Sequence, residues 1–263
     1  MRRLAKRLGV FAAALACGAL GALAALPVAR AYWRSREANP IARGRALAEA
    51  LGCFSCHGPE GTGGVPNPGA SGGKVPAWDG GTAMMYVESP SEIREYIADG
   101  LPARKRADRS YREKIGKAKI QMPSYGDILS PRELDDLAAY VAAVAGLGGP
   151  PEKSLAAKGR EEAREHGCFS CHGVDGAGLL PNPGSFKGYI PGWRGPDFED
   201  LVRDERELRQ WILEGGLERL TESALARRYI EGQKTKMPAF RGAIEEHDLE
   251  AIVAYIEWLR EPK

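Results

Sequence analysis

Cys53-Phe54-Ser55-Cys56-His57-Gly58 and Cys168-Phe169-Ser170-Cys171-His172-Gly173 are the same six residues, 115 positions apart. The same offset carries outward in both directions. Pro66-Asn67-Pro68-Gly69 meets Pro181-Asn182-Pro183-Gly184, Pro76 and Trp78 meet Pro191 and Trp193, and Gly100 meets Gly215. Met122-Pro123 meets Met237-Pro238, and Tyr140 meets Tyr255. No gap is needed between these matches, so the chain is a duplication, and its architecture is that of one unit used twice. The units run over 41–147 and 153–263, joined across Gly148-Gly149-Pro150-Pro151, a breaker-rich linker. Residues 1–40 precede them.

Each unit reads as helical. Ala42–Leu51, Ser91–Asp99 and, in the second unit, Arg206–Glu214 are expected helices, while 58–81 and 173–196 are rich in Gly and Pro and read as loop. Ser130-Pro131 with Glu133 starts a terminal helix whose Leu134, Leu137, Ala138, Val141 and Val144 recur at helical spacing. Leu249, Ile252, Val253, Ile256 and Leu259 do the same in the second unit. No segment alternates as a strand.

Two thiols three positions apart can add across the two vinyl groups of one haem, and the next residue, His, is then directed at the iron. Cys53, Cys56 and His57, and again Cys168, Cys171 and His172, meet that requirement. A thioredoxin-like pair would sit in a strand–helix pattern, which is lacking, and structural zinc would gather four ligands rather than two distant pairs. The expected cofactor is therefore two covalently attached haem c groups with iron.

The sixth ligand is expected to be Met122 and Met237, which are duplicated in register and each followed by Pro. His166 and His247 align with Leu51 and Arg132, so they read as surface residues; Met84 and Met85 align with Glu199 and Asp200 and are set aside. A thioether suits a low-spin iron that changes oxidation state without moving, and His/Met ligation raises the potential.

Each unit resembles a class I cytochrome c domain: a helix ending in Cys-x-x-Cys-His-Gly, a Gly/Pro loop, a Met-Pro, and a terminal helix bearing an aromatic. The resemblance implies an all-α fold with the first and last helices of each unit crossing. It implies that Pro66 and Pro181 offer carbonyls to the Nδ1–H groups of His57 and His172. It also implies that Trp78 and Trp193 lie near the haem propionates, with plain core packing as the other reading. Glu161, Glu162, Glu165 and His166 stand where the first unit has Ala46, Leu47, Ala50 and Leu51, which implies a looser crossing or a shifted register in the second unit.

The 263 residues are 43% hydrophobic and 27% charged, an ordinary folded composition with net charge +2. The basic excess lies at the N-terminus rather than on the folded units, so nucleic acid is not an expected partner. Residues 8–29 run 22 positions without a charge behind Arg2, Arg3, Lys6 and Arg7. A helix of that length spans a bilayer core, with the positive flank inside. The expectation is a retained single-pass anchor at 1–40 in the cytoplasmic membrane with both units on the periplasmic side. Cleavage near Ala29-Arg30-Ala31 is the rival, and Cys17 reads as a small lipid-facing residue.

Residues 102–119 carry eight Lys/Arg against two acids, and the aligned 217–234 four against three. That contrast predicts that an acidic redox partner meets the first haem, with a solvated mobile loop as the plainer reading. Together these features point to a tethered two-haem relay, an electron carrier rather than an enzyme, with redox proteins of a respiratory chain, membrane complexes or soluble cytochromes, as partners. The rival is a haem enzyme, a dihaem peroxidase or an oxidase of small sulfur compounds, which needs an open sixth position at one iron.

Overall fold

The computed structural model describes residues 39–261 other than 80, together with Leu26, Ala29, Arg30, Tyr32, Trp33, Arg36 and Glu37. Most of the expected anchor lies outside the described residues. Among the described residues, no helix is long and apolar enough to cross a membrane.

The first unit contains α1 (Pro40–Ala50), α2 (Phe54–His57), α3 (Gly81–Met84), α4 (Pro90–Asp99), α5 (Ala103–Ala107), α6 (Arg109–Ile115) and α7 (Pro131–Ala145). The second contains α8 (Leu155–Glu165), α9 (Cys168–His172), α10 (Pro196–Leu201), α11 (Glu205–Glu214), α12 (Glu218–Glu222), α13 (Ala224–Gly232) and α14 (Glu246–Arg260). The β pairing among the described residues consists of isolated bridges, Pro66 with Lys74, Pro181 with Tyr189, and Arg241 with Ile244.

Local chemistry sets the helix ends. Asn39 caps α1 by accepting from the Ala42 amide at 3.0 Å, with Pro40 in the first turn, where its missing N–H costs nothing. Ser130 and Glu133 form a reciprocal capping box at the start of α7, as the Ser-Pro signal anticipated. α4 and α11 both stop at a left-handed glycine, Gly100 and Gly215.

The first and last helices of each unit cross at a glycine. A Cβ on Gly44 would overlap the Asp136 carbonyl, and one on Gly159 the Ala251 carbonyl. Only glycine admits such an approach. The crossing lets Ala48 and Ala163 disappear from solvent entirely. Leu134, Leu137, Tyr140 and Val141 seal one core and Leu249, Ile252, Val253, Tyr255, Ile256 and Leu259 the other. Each large aliphatic side chain so buried contributes about 1.5–3 kcal/mol. The expected loosening of the second unit does not occur. Glu161 and Glu165 are exposed on the outer face of α8, so the glycine contact keeps the same register in both units.

A carboxylate ties the three main pieces of each unit together. Arg45 of α1 donates to Glu60 at 2.9 Å, and Tyr140 of α7 donates to the same carboxylate at 2.6 Å. In the second unit Arg160 and Tyr255 converge on Asp175 at 2.9 and 2.7 Å. Burial works to raise the Glu60 carboxyl, but the hydrogen bonds from Arg45 and Tyr140 outweigh it and hold the group below its usual range.

The units also touch. Arg160 donates to the Ala143 carbonyl at 3.0 Å, Asn39 donates to the Ala177 carbonyl, and Val174 and Ala177 pack against the first core.

Candidate haem sites

Each unit surrounds one open, largely apolar cavity, of about 490 Å³ in the first and about 480 Å³ in the second. Both fall in the size range of cofactor sites, about 300–1,000 Å³. Cys53, Cys56, His57 and Met122 line the first; Cys168, Cys171, His172 and Met237 line the second. The structure thus brings the paired cysteines, the histidine and the methionine of each unit to one cavity. None of these four cysteines is paired in a disulfide. Burial pushes the Cys53 thiol up and the Cys168 thiol up to about 11.

His57 donates its Nδ1–H to the Pro76 carbonyl at 2.8 Å, and His172 its Nδ1–H to the Pro191 carbonyl at 3.3 Å. A carbonyl can only accept, so the Nδ1 tautomer is set and Nε2 keeps its lone pair for a metal. Burial pushes both imidazoles below their ordinary pKa, favouring that neutral form, with the proline carbonyls opposing it. The expected acceptors, Pro66 and Pro181, are thereby corrected. They sit in the bridges to Lys74 and Tyr189, where the loop doubles back, and the returning strand brings Pro76 and Pro191 under the rings.

Trp78 packs on His57 with ring centroids 4.9 Å apart, and Trp193 on His172 at 5.2 Å. Each indole also meets its terminal-helix tyrosine edge-on, Tyr140 at 5.9 Å and Tyr255 at 6.1 Å. The tryptophans therefore join the imidazole side of each site to the helix crossing. That observed role is packing.

The methionine loops are held at both ends. Upstream, Asn67 exchanges two hydrogen bonds with the backbone of Ile120, both 2.9 Å, and Asn182 does the same with Thr235. Downstream, the Tyr125 amide donates to the Ile97 carbonyl and the Phe240 amide to the Ile212 carbonyl, at the ends of α4 and α11. Gly100 completes the clamp, since a Cβ there would come 2.6 Å from the Met122 carbonyl oxygen; Gly215 stands 2.5 Å from that of Met237 on the same measure. Asn67 and Asn182 were not picked out as positioning residues, although the duplicated Pro-Asn-Pro-Gly carried the signal.

Paired thiols, a metal-ready imidazole and a clamped thioether around one cavity fit a covalently attached haem. The cytochrome c family matches residues 41–145, and the family described as cytochrome c oxidase, cbb3-type, subunit III, matches residues 154–256. The chain is a c-type cytochrome with two haem domains. It carries two covalently bound haem c groups with their irons. Among its relatives is the "Cbb3-type cytochrome c oxidase subunit FixP" of Rhizobium meliloti (strain 1021), 30% identical over 134 residues, which cover 51% of this chain and 39% of that protein. The "Cytochrome c4" of Stutzerimonas stutzeri is 26% identical over 133 residues, 48% of this chain and 55% of the relative. The cytochrome thus spans about two fifths of FixP and about half of cytochrome c4.

Other parts of the cytochrome revise the reading of its charges. Most of residues 102–119 is helical rather than loop, forming α5 and α6, with 116–119 as turn and bend. Arg104 pairs with Glu88 and Glu92, Arg106 with Asp99, and Arg109 with Glu113, while Lys105 is buried. Among the described residues, the exposed cations without an ion-pair partner there are Arg112, Lys114, Lys117 and Lys119, against Arg227, Arg228 and Lys234 in the aligned segment of the second domain. The second segment also keeps Glu218, Glu222 and Glu231 outside any ion pair among the described residues, so the first haem site retains the more basic neighbouring surface. His166 is also corrected. It is half-buried, lines the second cavity, and meets Phe240 edge-on at 6.2 Å, whereas His247 is exposed as expected.

Proposed function

We propose that this cytochrome is a two-haem electron relay in which His57 and Met122 hold one iron and His172 and Met237 the other. The haem supplies reversible one-electron exchange at its iron, and the protein's part is to keep both axial positions filled. The observation that carries this is the matched clamp on each Met loop. A thioether fixed from both sides stays in place when the charge on the iron changes and leaves no position for a substrate. Cavity walls of mainly apolar side chains keep water away and lower the reorganisation that each transfer requires.

The setting we infer is the periplasmic face of the cytoplasmic membrane, with residues 8–29 as a retained anchor. The support is the 22-residue uncharged run behind four basic residues. The likeness to FixP, a cbb3-type oxidase subunit by name, supports a respiratory complex as the electron acceptor or as the host of this chain.

Spectra of the reduced protein with and without carbon monoxide test the closed sites. The relay leaves both haems unchanged by the gas. A haem that binds it at once is the behaviour of the rival enzyme and overturns the relay.

A further inference from the structure

The two cavities share a frame but differ along one wall. In the first domain Lys105, 6% exposed, donates to the Tyr86 carbonyl and to the Tyr96 hydroxyl at 2.9 Å. Its ammonium lies 5.8, 5.2 and 4.9 Å from the ring centroids of Tyr86, Tyr96 and Tyr111. All three tyrosines line the first cavity beside His57 and Met122. The corresponding positions of the second domain hold Leu220, Leu201, Trp211 and Ala226, and all four line the second cavity.

Among the described residues no carboxylate forms an ion pair with Lys105; the nearby Glu92, whose charged form Lys105 favours from a distance, pairs with Arg104 at 2.9 Å. Neutral oxygens and ring faces satisfy the ammonium, so no carboxylate contact neutralises it. The second cavity has its own partly buried lysine, Lys187, but that one sits between Asp197 and Asp200. A buried positive charge therefore stands behind the wall of the first site, where the second has a cation outnumbered by carboxylates; the exposed rim lysines, Lys74 and Lys114 in the first and Lys236 in the second, are more hydrated.

In a low-dielectric surround a cation without a carboxylate contact favours the redox state that holds the extra electron. We propose that Lys105 and its three tyrosines make the first haem the higher-potential centre, so that electrons enter at the second haem and leave from the first. This rests on the reading that His57 and Met122 hold the first haem. Lys105 is a positioning residue for charge and touches neither the iron ligands nor a partner. The step is a single-electron transfer: the second iron goes from ferrous to ferric as the first goes from ferric to ferrous.

The test is a spectroelectrochemical titration of the full two-haem protein. Wild type should show two one-electron waves. Lys105→Leu, the residue of the second domain, should lower the upper wave and leave the lower one in place, and Lys105→Met, which keeps the chain length, should do the same. Met122→His, which replaces the thioether by a second imidazole, must lower that same upper wave. Unmoved midpoints in either folded Lys105 variant, or a Met122→His shift confined to the lower wave, overturn the proposal. Haem content by mass and carbon monoxide binding are read on the same samples, so failure of the underlying haem assignment is distinguishable from failure of the tuning.

Discussion

Gly44 and Asp136 meet where α1 crosses α7, and the approach leaves no room for a side chain at position 44. Gly159 repeats it against Ala251. Gly44→Ala and Gly159→Ala must push these helices apart, at a cost of about 1–3 kcal/mol each, the usual range for overpacking a close contact. Denaturant unfolding of the haem-loaded protein checks this. Gly63→Ala serves as the control, because a Cβ there meets nothing and its stability should be nearly unchanged.

Tyr140→Phe and Tyr255→Phe each remove one donor from the carboxylate that joins the two long helices to the loop between them. Burial pushes both phenols well above their ordinary pKa, with the neighbouring carboxylates adding to it, so they act as donors throughout the physiological range. Losing a donor to a buried carboxylate costs about 1–3 kcal/mol. The two variants should differ. Asp175 is buried, whereas the Glu60 side chain is 48% exposed and can recruit water, so Tyr255→Phe should lower stability more than Tyr140→Phe. Thermal melts of the two variants side by side give the comparison.

Acid should act on the second domain through Glu207. Its buried carboxylate accepts from Arg219 at 2.7 and 3.0 Å and from the Arg203 amide at 2.9 Å. The Arg219 guanidinium first, and that amide with it, hold the carboxyl down to about 2 from its ordinary 4.5, against the pull of burial. A carboxyl lowered on folding stabilises the folded state above its unfolded pKa. That contribution is lost as pH falls from about 4.5 to about 2. Glu207→Gln should therefore be less stable than wild type at neutral pH, and the gap should close across that acid window. A gap that stays constant with pH would contradict the assignment.

Much of the fold was legible because its strongest demands fall on few residue types. Covalent attachment needs two cysteines and a histidine in one turn, and the register of 115 placed Met122 and Met237 beside them. Ser130-Pro131-x-Glu133 announced α7 because capping is a local transaction. The contacts that were missed depend on the return path of the chain. Pro66 and Pro76 are both duplicated prolines, and only the turn at Lys74 decides which carbonyl reaches His57. The carboxylate link escaped notice because Glu60 in one unit is Asp175 in the other, so identity alone does not register it. The ion pairs of 102–119 were not legible for a related reason. Glu88, Glu92 and Asp99, which pair with its arginines, lie outside that segment. Lys105 was indistinguishable from its neighbours Arg104 and Arg106 until α5 turned it inward.

The central claim is that both irons are held between a histidine and a methionine. The weak near-infrared band that a thioether gives on ferric haem reads this directly, measured in the oxidised wild type and in Met122→Ala and Met237→Ala. The account predicts that each single variant loses about half the band, in keeping with one thioether per haem, and that the double variant loses it all. A wild type without the band, or a band that survives either single substitution undiminished, would contradict it.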